Sequence, residues 1–309
     1  MITTVTLNPA IDCILQADHF RIGALNRPSS EQLWPGGKGI NVSLALHRLG
    51  EQTLAAGFSA GASGLALEAL LDEAGLPHRF TRLHQGCTRI NFKISADGTE
   101  TECNGPGPAF DDDDLARLAQ SLPAGGAADW LVLSGNVPAA SRGAYARLLR
   151  RCGDRNMQLV VDTTGDELRA ALPFRPFLVK PNLAELAEFC DTEIRSAAAL
   201  LACARSLQSA GARNVLVSLG SRGACLIPES GQPLYARAVQ GAVVSTIGAG
   251  DSAVAGFLSG WLRESSASAA LKAAVSAGCA TAFCSGIADG PALHAFRDQI
   301  EPVPFTEKG

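Results

Sequence analysis

Short apolar runs alternate with longer segments of helical periodicity along most of the chain. An apolar run of about five residues between polar or Gly-rich residues predicts a buried strand, whereas apolar residues three and four apart predict a helix. Regular alternation of the two is typical of an α/β fold with a mainly parallel sheet covered by helices. The predicted strands cover residues 2–7, 130–134, 158–162, 177–180 and 214–218.

Polar and Gly-rich residues follow each predicted strand. In open parallel sheets ligands bind beyond the carboxyl ends of the strands, so chemistry is expected at these places. The segments concerned are 8–12, 134–138, 162–165, 180–182 and 218–220.

Residues 88–103 depart from this alternation and predict a β-hairpin with a Gly-containing turn at 96–98. Successive side chains of a strand point to opposite faces, so the first strand has one apolar and one polar face. The two faces carry Ile90, Phe92 and Ile94, and Arg89, Asn91 and Lys93. Two interpretations are open: the polar face is a solvated outer surface, or it belongs to a lid that closes on an anionic ligand.

Composition indicates a folded protein without general affinity for polyanions. Of the 309 residues 47% are apolar and 18% charged, which permits a large core and excludes a disordered chain. The net charge of −4 provides no basic face for nucleic acid or an anionic membrane. Nine scattered cysteines without a C-x-x-C pair predict neither a disulfide framework nor a zinc site. The acidic run 111–114 precedes an apolar helical pattern and predicts a helix start rather than a metal site.

No segment predicts export or membrane insertion. The first ten residues lack a charged stretch followed by a long apolar one and so predict no signal peptide. The longest apolar stretches, such as 197–204, fall far short of the roughly 20 residues that a membrane helix needs. We therefore expect a cytoplasmic protein.

The strongest indication of chemistry is Gly248-Ala249-Gly250-Asp251, which leads directly into an apolar helical pattern. Backbone N–H groups at a helix start attract phosphate or a developing oxyanion, and small residues let the anion approach. Asp251 alone could simply cap the helix. Beside an anion site, however, it could accept a hydroxyl proton while the amides stabilise the transferred group.

A second Gly-rich segment, residues 36–42, opens a helical pattern that ends at Gly50. It is not a Walker A loop, because Lys38 is followed by Gly39 rather than Ser or Thr. It is not a dinucleotide fingerprint either, because Val42 stands where the third glycine is required. Taken alone, the segment is equally compatible with a plain helix start.

Two more strand ends could contact a nucleotide. Asn182 and Glu185 lie three residues apart on one predicted helix face, where they could hold a hydrated Mg²⁺ or merely pair locally as a cap. Ser218, Gly220 and Gly223 follow another strand, and the glycines would let a flat ring or a phosphate approach the backbone.

In this order and spacing, the four motifs resemble those of the ribokinase, or PfkB, family of carbohydrate kinases, and the resemblance covers nearly the whole chain. Both family signatures are present, at 36–42 and 246–251. Segments 6–12, 88–93 and 286–291 are most similar to the bacterial 1-phosphofructokinase branch. Ser245 stands where the family often has Asp, which leaves open whether a monovalent cation such as K⁺ binds near Ser245.

The resemblance implies a three-layer, ribokinase-like α/β fold with a mainly parallel central sheet and a small β-sheet lid. It implies one kinase domain over residues 1–309, with the lid formed by about 12–35 and 86–105. Many relatives pair through the lid, so a homodimer is open. The apolar lid face could equally pack on its own domain.

The implied activity is ATP- and Mg²⁺-dependent conversion of D-fructose 1-phosphate to fructose 1,6-bisphosphate by direct in-line transfer. Asp251 would be the base, and Gly248, Ala249 and Gly250 would form the anion hole. Arg89 would be the main ligand of the sugar's phosphate. The implied substrate contacts are Asp12, Arg27, Gly37, Lys38, Asn41, Arg89 and Asn136. The implied nucleotide contacts are Lys180, Asn182, Ser218, Gly220 and Gly223, and Glu185 would bind the metal.

Several alternatives stay open at this point. The same pocket could serve a tagatose-6-phosphate kinase or a 6-phosphofructokinase. A nucleoside or unphosphorylated-sugar kinase needs less positive charge than Lys38, Arg89 and Lys93 supply. A catalytically silent sugar-phosphate sensor is disfavoured by the intact motif that ends at Asp251. A Rossmann oxidoreductase is disfavoured by the missing fingerprint.

Overall fold

The computed structural model describes residues 1–153 and 155–306, which contain a large and a small β-sheet and the helices that cover the large one. The strands are β1 Ile2–Thr6, β2 Ala10–Gln16, β3 Ser30–Gly36, β4 Thr53–Ala60, β5 His78–Leu83, β6 Arg89–Ala96, β7 Thr99–Asn104, β8 Trp130–Ser134, β9 Gln158–Asp162, β10 Leu178–Val179, β11 Asn214–Ser218, β12 Ala224–Ile227, β13 Leu234–Ala236 and β14 Val303–Pro304. The α-helices are α1 Lys38–Arg48, α2 Gly61–Glu73, α3 Asp112–Ser121, α4 Ala144–Cys152, α5 Gly165–Ala171, α6 Leu183–Cys190, α7 Ala197–Ser209, α8 Ala249–Glu264, α9 Ala267–Ala282 and α10 Gly290–His294. None of these helices is both long enough and apolar enough to cross a membrane.

The large sheet has the strand order β14-β13-β12-β11-β10-β9-β8-β1-β4-β5. All neighbours from β5 to β11 are parallel, whereas β12, β13 and β14 add antiparallel strands at one edge. Parallel strands end at the same edge of a sheet, so the register pairs Ser134 at the end of β8 with Asp162 at the end of β9. The polar residues that follow these strands are thereby brought together.

Alternate side chains of the central strands enter two separate cores. Leu131 and Leu133 of β8 pack in the cluster that includes α4, α6 and α7. Val132 packs on the opposite face with residues of α1, α8 and α9. A strand buried on both sides needs a continuous apolar run, which is the pattern seen in the sequence. The predicted three-layer α/β arrangement is confirmed.

All five predicted strands are present, and their ends differ from the prediction by at most one residue. Strand β4 was not predicted although it lies buried between β1 and β5. It contains Ala55, Ala56 and Gly57, which have low strand propensity. A Cβ at Gly57 would lie 2.0 Å from the carbonyl oxygen of Thr6, so the close approach of β1 explains this composition.

Two predicted helix ends are confirmed. Asp111 caps α3 by accepting a hydrogen bond from the backbone N–H of Asp114, whose carboxylate accepts from the N–H of Asp111. The acidic run is therefore a capping box. Helix α1 ends just before Gly50, which has a φ of 82° and donates its N–H to the carbonyl of His47.

The small sheet has the order β3-β2-β6-β7 and contains the predicted hairpin. Its turn residues Asp97 and Gly98 both have positive φ, as a two-residue hairpin turn requires. The polar side chains of Asn91 and Lys93 are buried, whereas Ile90 and Phe92 are 40% and 41% exposed. The interpretation of the polar face as a solvated surface is therefore wrong. Packing of Ile90 and Phe92 on their own domain is wrong too, because the inward polar face turns these alternate side chains outward.

Candidate active site

A cleft of about 950 Å³ lies between the polar face of the small sheet and the strand ends of the large sheet. Side chains from β2 and β6 form one wall, and residues that follow β1, β8, β10 and β11, with the start of α8, form the other. The predicted site residues that line this cleft are Asp12, Gly37, Lys38, Asn41, Arg89, Asn136, Lys180, Asn182, Glu185, Ser218, Gly220, Gly223, Gly248, Ala249, Gly250 and Asp251.

Two further predicted residues lie outside the lining of the cleft. Arg27 is exposed on the segment that joins β2 to β3. Its role as a phosphate ligand stays a prediction. Ser245 precedes the lining residue Thr246, and its hydroxyl accepts a hydrogen bond from the N–H of Ile247 at 3.2 Å. A cation near Ser245 likewise stays a prediction.

Asp251 lies in the first turn of α8 and is only 5% exposed. The side-chain amide of Asn41 donates to its Oδ2 at 2.8 Å, which ties α8 to α1. The N–H groups of Gly250 and Asp251 have no backbone acceptor in the part of the chain that the structure describes. A Cβ at Gly250 would lie 3.3 Å from the ammonium nitrogen of Lys180. Free amides and an ammonium group next to a carboxylate form a site for an anionic group.

The pKa of Asp251 is raised to about 6. Burial is the main cause, because it disfavours the charged carboxylate, and the negative charge of Asp162 adds to it. Lys38, the hydrogen bond from Asn41 and Lys180 act in the opposite direction. A carboxylate with a pKa near 6 is ionised at neutral pH and basic enough to accept a proton.

Asp162, at the end of β9, is a central residue of the site that the sequence analysis did not assign. It is 1% exposed and lies 3.4 Å from the Nζ of Lys180 and 3.6 Å from the Nζ of Lys38. Ser134 donates a further hydrogen bond to it at 3.3 Å. Burial would raise the pKa of Asp162, but the two ammonium groups and the hydrogen bonds hold it below its usual value. Asp162 thus joins two lysines that come from distant parts of the sequence.

The small sheet supplies a second ion pair. Asp12 accepts hydrogen bonds from the Nζ of Lys93 at 2.9 Å and from the amide of Asn91 at 2.8 Å. A Cβ at Gly36 would lie 2.8 Å from the Asp12 carboxylate, so the strand pairing leaves room only for glycine at this place. The carboxylate is therefore fixed in orientation and lines the cleft.

Arg89, at the start of β6, is held by three acceptors. Its guanidinium donates to the carbonyl of Asn8 at 3.2 Å, to the carbonyl of Gly105 at 3.5 Å and to the side-chain oxygen of Asn136 at 3.3 Å. Two of its five N–H groups have no acceptor among the described residues. An oriented guanidinium with free donors suits a phosphate.

Asn182 and Glu185 form a capping box at the start of α6. The Asn182 side chain accepts from the N–H of Glu185, and the Glu185 carboxylate accepts from the N–H of Asn182, both at 2.8 Å. The local pairing that the sequence allowed is thus present. Both residues also line the cleft, and a single carboxylate suits Mg²⁺, which keeps several waters and binds substrate phosphates. The donor set therefore fits a hydrated Mg²⁺ without excluding the cap.

The part of the cleft next to β11 and β12 has apolar walls that the sequence analysis missed. Ser218 and Gly220 line it together with Val239, Val243 and Phe283, which come from a loop and the end of α9. Such walls suit the flat face of a nucleobase. Gly223 also lines the cleft. Its lack of a side chain is required by the fold, because a Cβ there would lie 2.0 Å from the carbonyl oxygen of Ala236.

Comparisons with known proteins agree with this geometry. Residues 5–293 match the family model described as pfkB family carbohydrate kinase. The 1-phosphofructokinase of Bacillus subtilis is 38% identical over 284 residues, which cover 92% of this chain and 93% of that protein. The D-tagatose-1-phosphate kinase of Bacillus licheniformis is 32% identical over 309 residues, which cover 97% of this chain and 99% of that protein.

The structure of phosphofructokinase-2 from Escherichia coli in complex with substrates and products superimposes with a TM-score of 0.90 at 26% identity. The superposition covers 96% of this chain and 98% of that one. The same enzyme has been solved in complex with potassium and as an inhibited tetramer. The structure of ribokinase from Arabidopsis thaliana complexed with ribose and ATP superimposes with a TM-score of 0.77 at 19% identity over 96% of this chain and 98% of that one, so the ribokinase-like fold implied by the sequence is confirmed.

Proposed function

The chain belongs to the pfkB family of carbohydrate kinases and phosphorylates a sugar hydroxyl, and we propose that its substrate is D-fructose 1-phosphate, converted with ATP to D-fructose 1,6-bisphosphate. One observation supports this above the others. A single cleft contains the buried carboxylate of Asp251 beside free helix amides, and also the oriented guanidinium of Arg89. A kinase of a phosphorylated sugar needs both a base and a ligand for the phosphate already present.

In the proposed reaction, the Asp251 carboxylate accepts the proton of the attacking sugar hydroxyl. The sugar oxygen forms a bond to the γ-phosphorus while the bond from that phosphorus to the bridging oxygen of ATP breaks, and ADP leaves with the bond electrons. The N–H groups of Gly250 and Asp251 stabilise the negative charge on the transferred group, with Gly248 and Ala249 shaping the anion hole. Lys38 and Lys180 add positive charge, and Asp162 fixes their positions.

The nucleotide is ATP with Mg²⁺, as the family implies. Mg²⁺ held by the nucleotide phosphates and Glu185 would neutralise phosphate charge when bound. We assign Asn182, Ser218, Gly220 and Gly223 to the nucleotide, and Asp12, Gly37, Asn41 and Asn136 to the sugar. Arg89 would bind the sugar's phosphate, with Arg27 and Lys38 as further ligands. A K⁺ ion near Ser245 is suggested only by the potassium complex of phosphofructokinase-2.

The name of one relative favours a second substrate. D-Tagatose 1-phosphate carries its phosphate at the same carbon as fructose 1-phosphate, and a relative that is 32% identical is named a kinase of that sugar. The test is kcat/KM of the purified protein for the 1-phosphates and 6-phosphates of both sugars. We expect fructose 1-phosphate to have the highest value. A higher value for tagatose 1-phosphate supports the second candidate, and a higher value for either 6-phosphate contradicts both.

We further propose that residues 1–309 act as one kinase domain and that the small sheet is its lid, close to the predicted segments 12–35 and 86–105. The outer face of this lid exposes Leu33, Ile90 and Phe92. Adjacent exposed apolar side chains on one sheet face are typical of an interface, so we propose a homodimer through the lid. A cytoplasmic location suits a kinase that uses the cell's ATP.

A further inference from the structure

Two buried oxygen atoms in the wall of the cleft have no hydrogen-bond partner among the described residues. They are the hydroxyl oxygen of Thr6, at the end of β1, and the side-chain carbonyl oxygen of Asn91, on β6. Thr6 is 2% exposed and Asn91 is 7% exposed. A buried polar atom without a partner destabilises a fold, so nearly all such atoms in proteins are paired.

The orientation of the Asn91 amide is determined by its neighbour. Its nitrogen donates to the Asp12 carboxylate at 2.8 Å, and a carboxylate can only accept. The carbonyl oxygen of Asn91 must therefore point away from Asp12. The Lys93 ammonium donates to the other oxygen of Asp12 and makes no hydrogen bond to the Asn91 oxygen. The amide is held with a free acceptor on a residue that lines the cleft.

The Thr6 hydroxyl lies beside the first turn of α1. A Cβ at Gly39 would come within 2.4 Å of the hydroxyl oxygen, so only glycine fits at this place. Thr4, two residues earlier on the same strand, is different, because its hydroxyl is 2.8 Å from that of Ser43. The unpaired hydroxyl is thus a feature of the strand end at the cleft and not of β1 as a whole.

A third unpaired oxygen, that of Asn8, is covered by backbone. A Cβ at Gly107 would lie only 1.9 Å from it, so the Gly107 backbone packs against this oxygen. Asn8 also has a structural task, since its amide donates to the carbonyl of Pro106 and its own carbonyl accepts from Arg89. Asn8 also lines the cleft, but its side chain is bonded to the backbone, whereas the side chains of Thr6 and Asn91 make no hydrogen bond to backbone among the described residues.

We propose that Thr6 and Asn91 are further substrate-binding residues, whose free oxygen atoms accept hydrogen bonds from hydroxyl groups of the sugar phosphate. This rests on the proposed function. The hydroxyl groups of a sugar can donate hydrogen bonds, whereas its phosphate at neutral pH mainly accepts them. The acceptor oxygens of Thr6 and Asn91 therefore suit the sugar hydroxyls, and Arg89, which only donates, suits the phosphate. The two oxygens would make the cleft selective for a sugar with hydroxyl groups at defined carbons over its deoxy analogue.

The decisive variant is Thr6→Val, which removes the hydroxyl and keeps the shape. If the hydroxyl is paired only in the substrate complex, its removal takes a destabilising unpaired polar atom out of the free protein. In the complex, the same substitution removes a hydrogen bond to the sugar. We expect Tm of the free protein to rise by roughly 1–3 °C. KM for fructose 1-phosphate should rise roughly tenfold, or about 1.4 kcal/mol, with KM for ATP unchanged.

Thr4→Val is the matched control, since it makes the same substitution on the same strand at a paired hydroxyl. It should lower Tm and leave both KM values unchanged. If Thr6→Val lowers Tm or leaves KM for the sugar phosphate unchanged, the hydroxyl is paired by water or packing alone and the proposal for Thr6 is overturned.

Asn91 needs a measurement that separates substrate contact from its support of Asp12. Asn91→Ala removes the amide oxygen, and Asp12 keeps its ion pair with Lys93. We would compare inhibition constants of 3-deoxy and 4-deoxy fructose 1-phosphate in the wild type and this variant. In the wild type, one analogue should bind roughly tenfold more weakly than fructose 1-phosphate. In the variant, the same analogue should bind less than about twofold more weakly than fructose 1-phosphate. Equal losses in both proteins would overturn the proposal for Asn91.

The wild-type assay distinguishes failure of this inference from failure of the proposed function. If the wild type phosphorylates none of the four sugar phosphates, the proposed substrate class is wrong. If it does phosphorylate one and the variants behave like the wild type, only the assignment of Thr6 and Asn91 is wrong.

Discussion

The large and the small sheet form the two walls of the cleft in opposite ways. The central strands of the large sheet are buried on both faces, so only the residues that follow them, such as Asn136 and Lys180, are available to a ligand. The small sheet offers one whole face, on which Asp12 and Lys93 form an ion pair. The strands of the first wall are anchored by two cores, whereas the second wall presents polar side chains along the strands themselves. We therefore expect the large sheet to govern the chemical step and the small sheet to govern substrate affinity.

The largest effect should come from Asp251→Asn on the wall of the large sheet. Losing the base should lower kcat by roughly 10²- to 10⁴-fold, the usual contribution of a general base, with ATP binding retained. Steady-state kinetics with fructose 1-phosphate, together with a nucleotide-binding titration, measure both quantities. A decrease in kcat of less than about tenfold would contradict the assignment of Asp251 as the base.

On the wall of the small sheet, Arg89→Ala should act on substrate affinity instead. Loss of the charged hydrogen bonds to the sugar's phosphate should raise KM for fructose 1-phosphate roughly 10- to 100-fold, while KM for ATP stays nearly constant. If kcat fell as much as kcat/KM, the proposed division between the two walls would be wrong.

Asp162→Asn should change the pH dependence. Activity of the wild type should rise with pH through about 6, as Asp251 loses its proton and becomes a base. Removing the neighbouring negative charge lowers the pKa of Asp251, so this rise should move to lower pH. The substrate phosphate titrates in the same range, so the measured quantity is the difference in log(kcat/KM) between the two proteins at each pH. Identical profiles would show that Asp162 does not influence the base.

The smallest effect on the chemistry should come from Phe92→Glu on the outer face of the small sheet. A charge on this exposed apolar face should convert a dimer to a monomer, as measured by light scattering on a sizing column. Leu262→Glu is the control, because Leu262 is as exposed as Phe92 but lies on α8, which packs against α1 and α9. A wild type that is already monomeric, or a variant that stays dimeric, would contradict the interface.

Much of the large sheet could be predicted, because a strand buried on both sides needs an uninterrupted apolar run. Residues 130–133 show such a run, but β4 is interrupted by Gly57 and Ser59 and does not. The small sheet was harder to predict. Period two shows that Arg89, Asn91 and Lys93 share a face, but it cannot tell which face is buried. That depends on the parallel pairing of β6 with β2, which turns Asn91 and Lys93 towards Asp12.

The sequence by itself determined the fold class, the two Gly-rich helix starts and many of the polar residues that line the cleft, because each depends on a local pattern or motif. Only the tertiary structure decided that Asp162 links Lys38 to Lys180, and that Thr6 and Asn91 keep free oxygen atoms. Whether a side chain is paired depends on neighbours that lie far away in the chain. Asp162 comes 124 residues after Lys38, and no local pattern records the distance between their charged atoms.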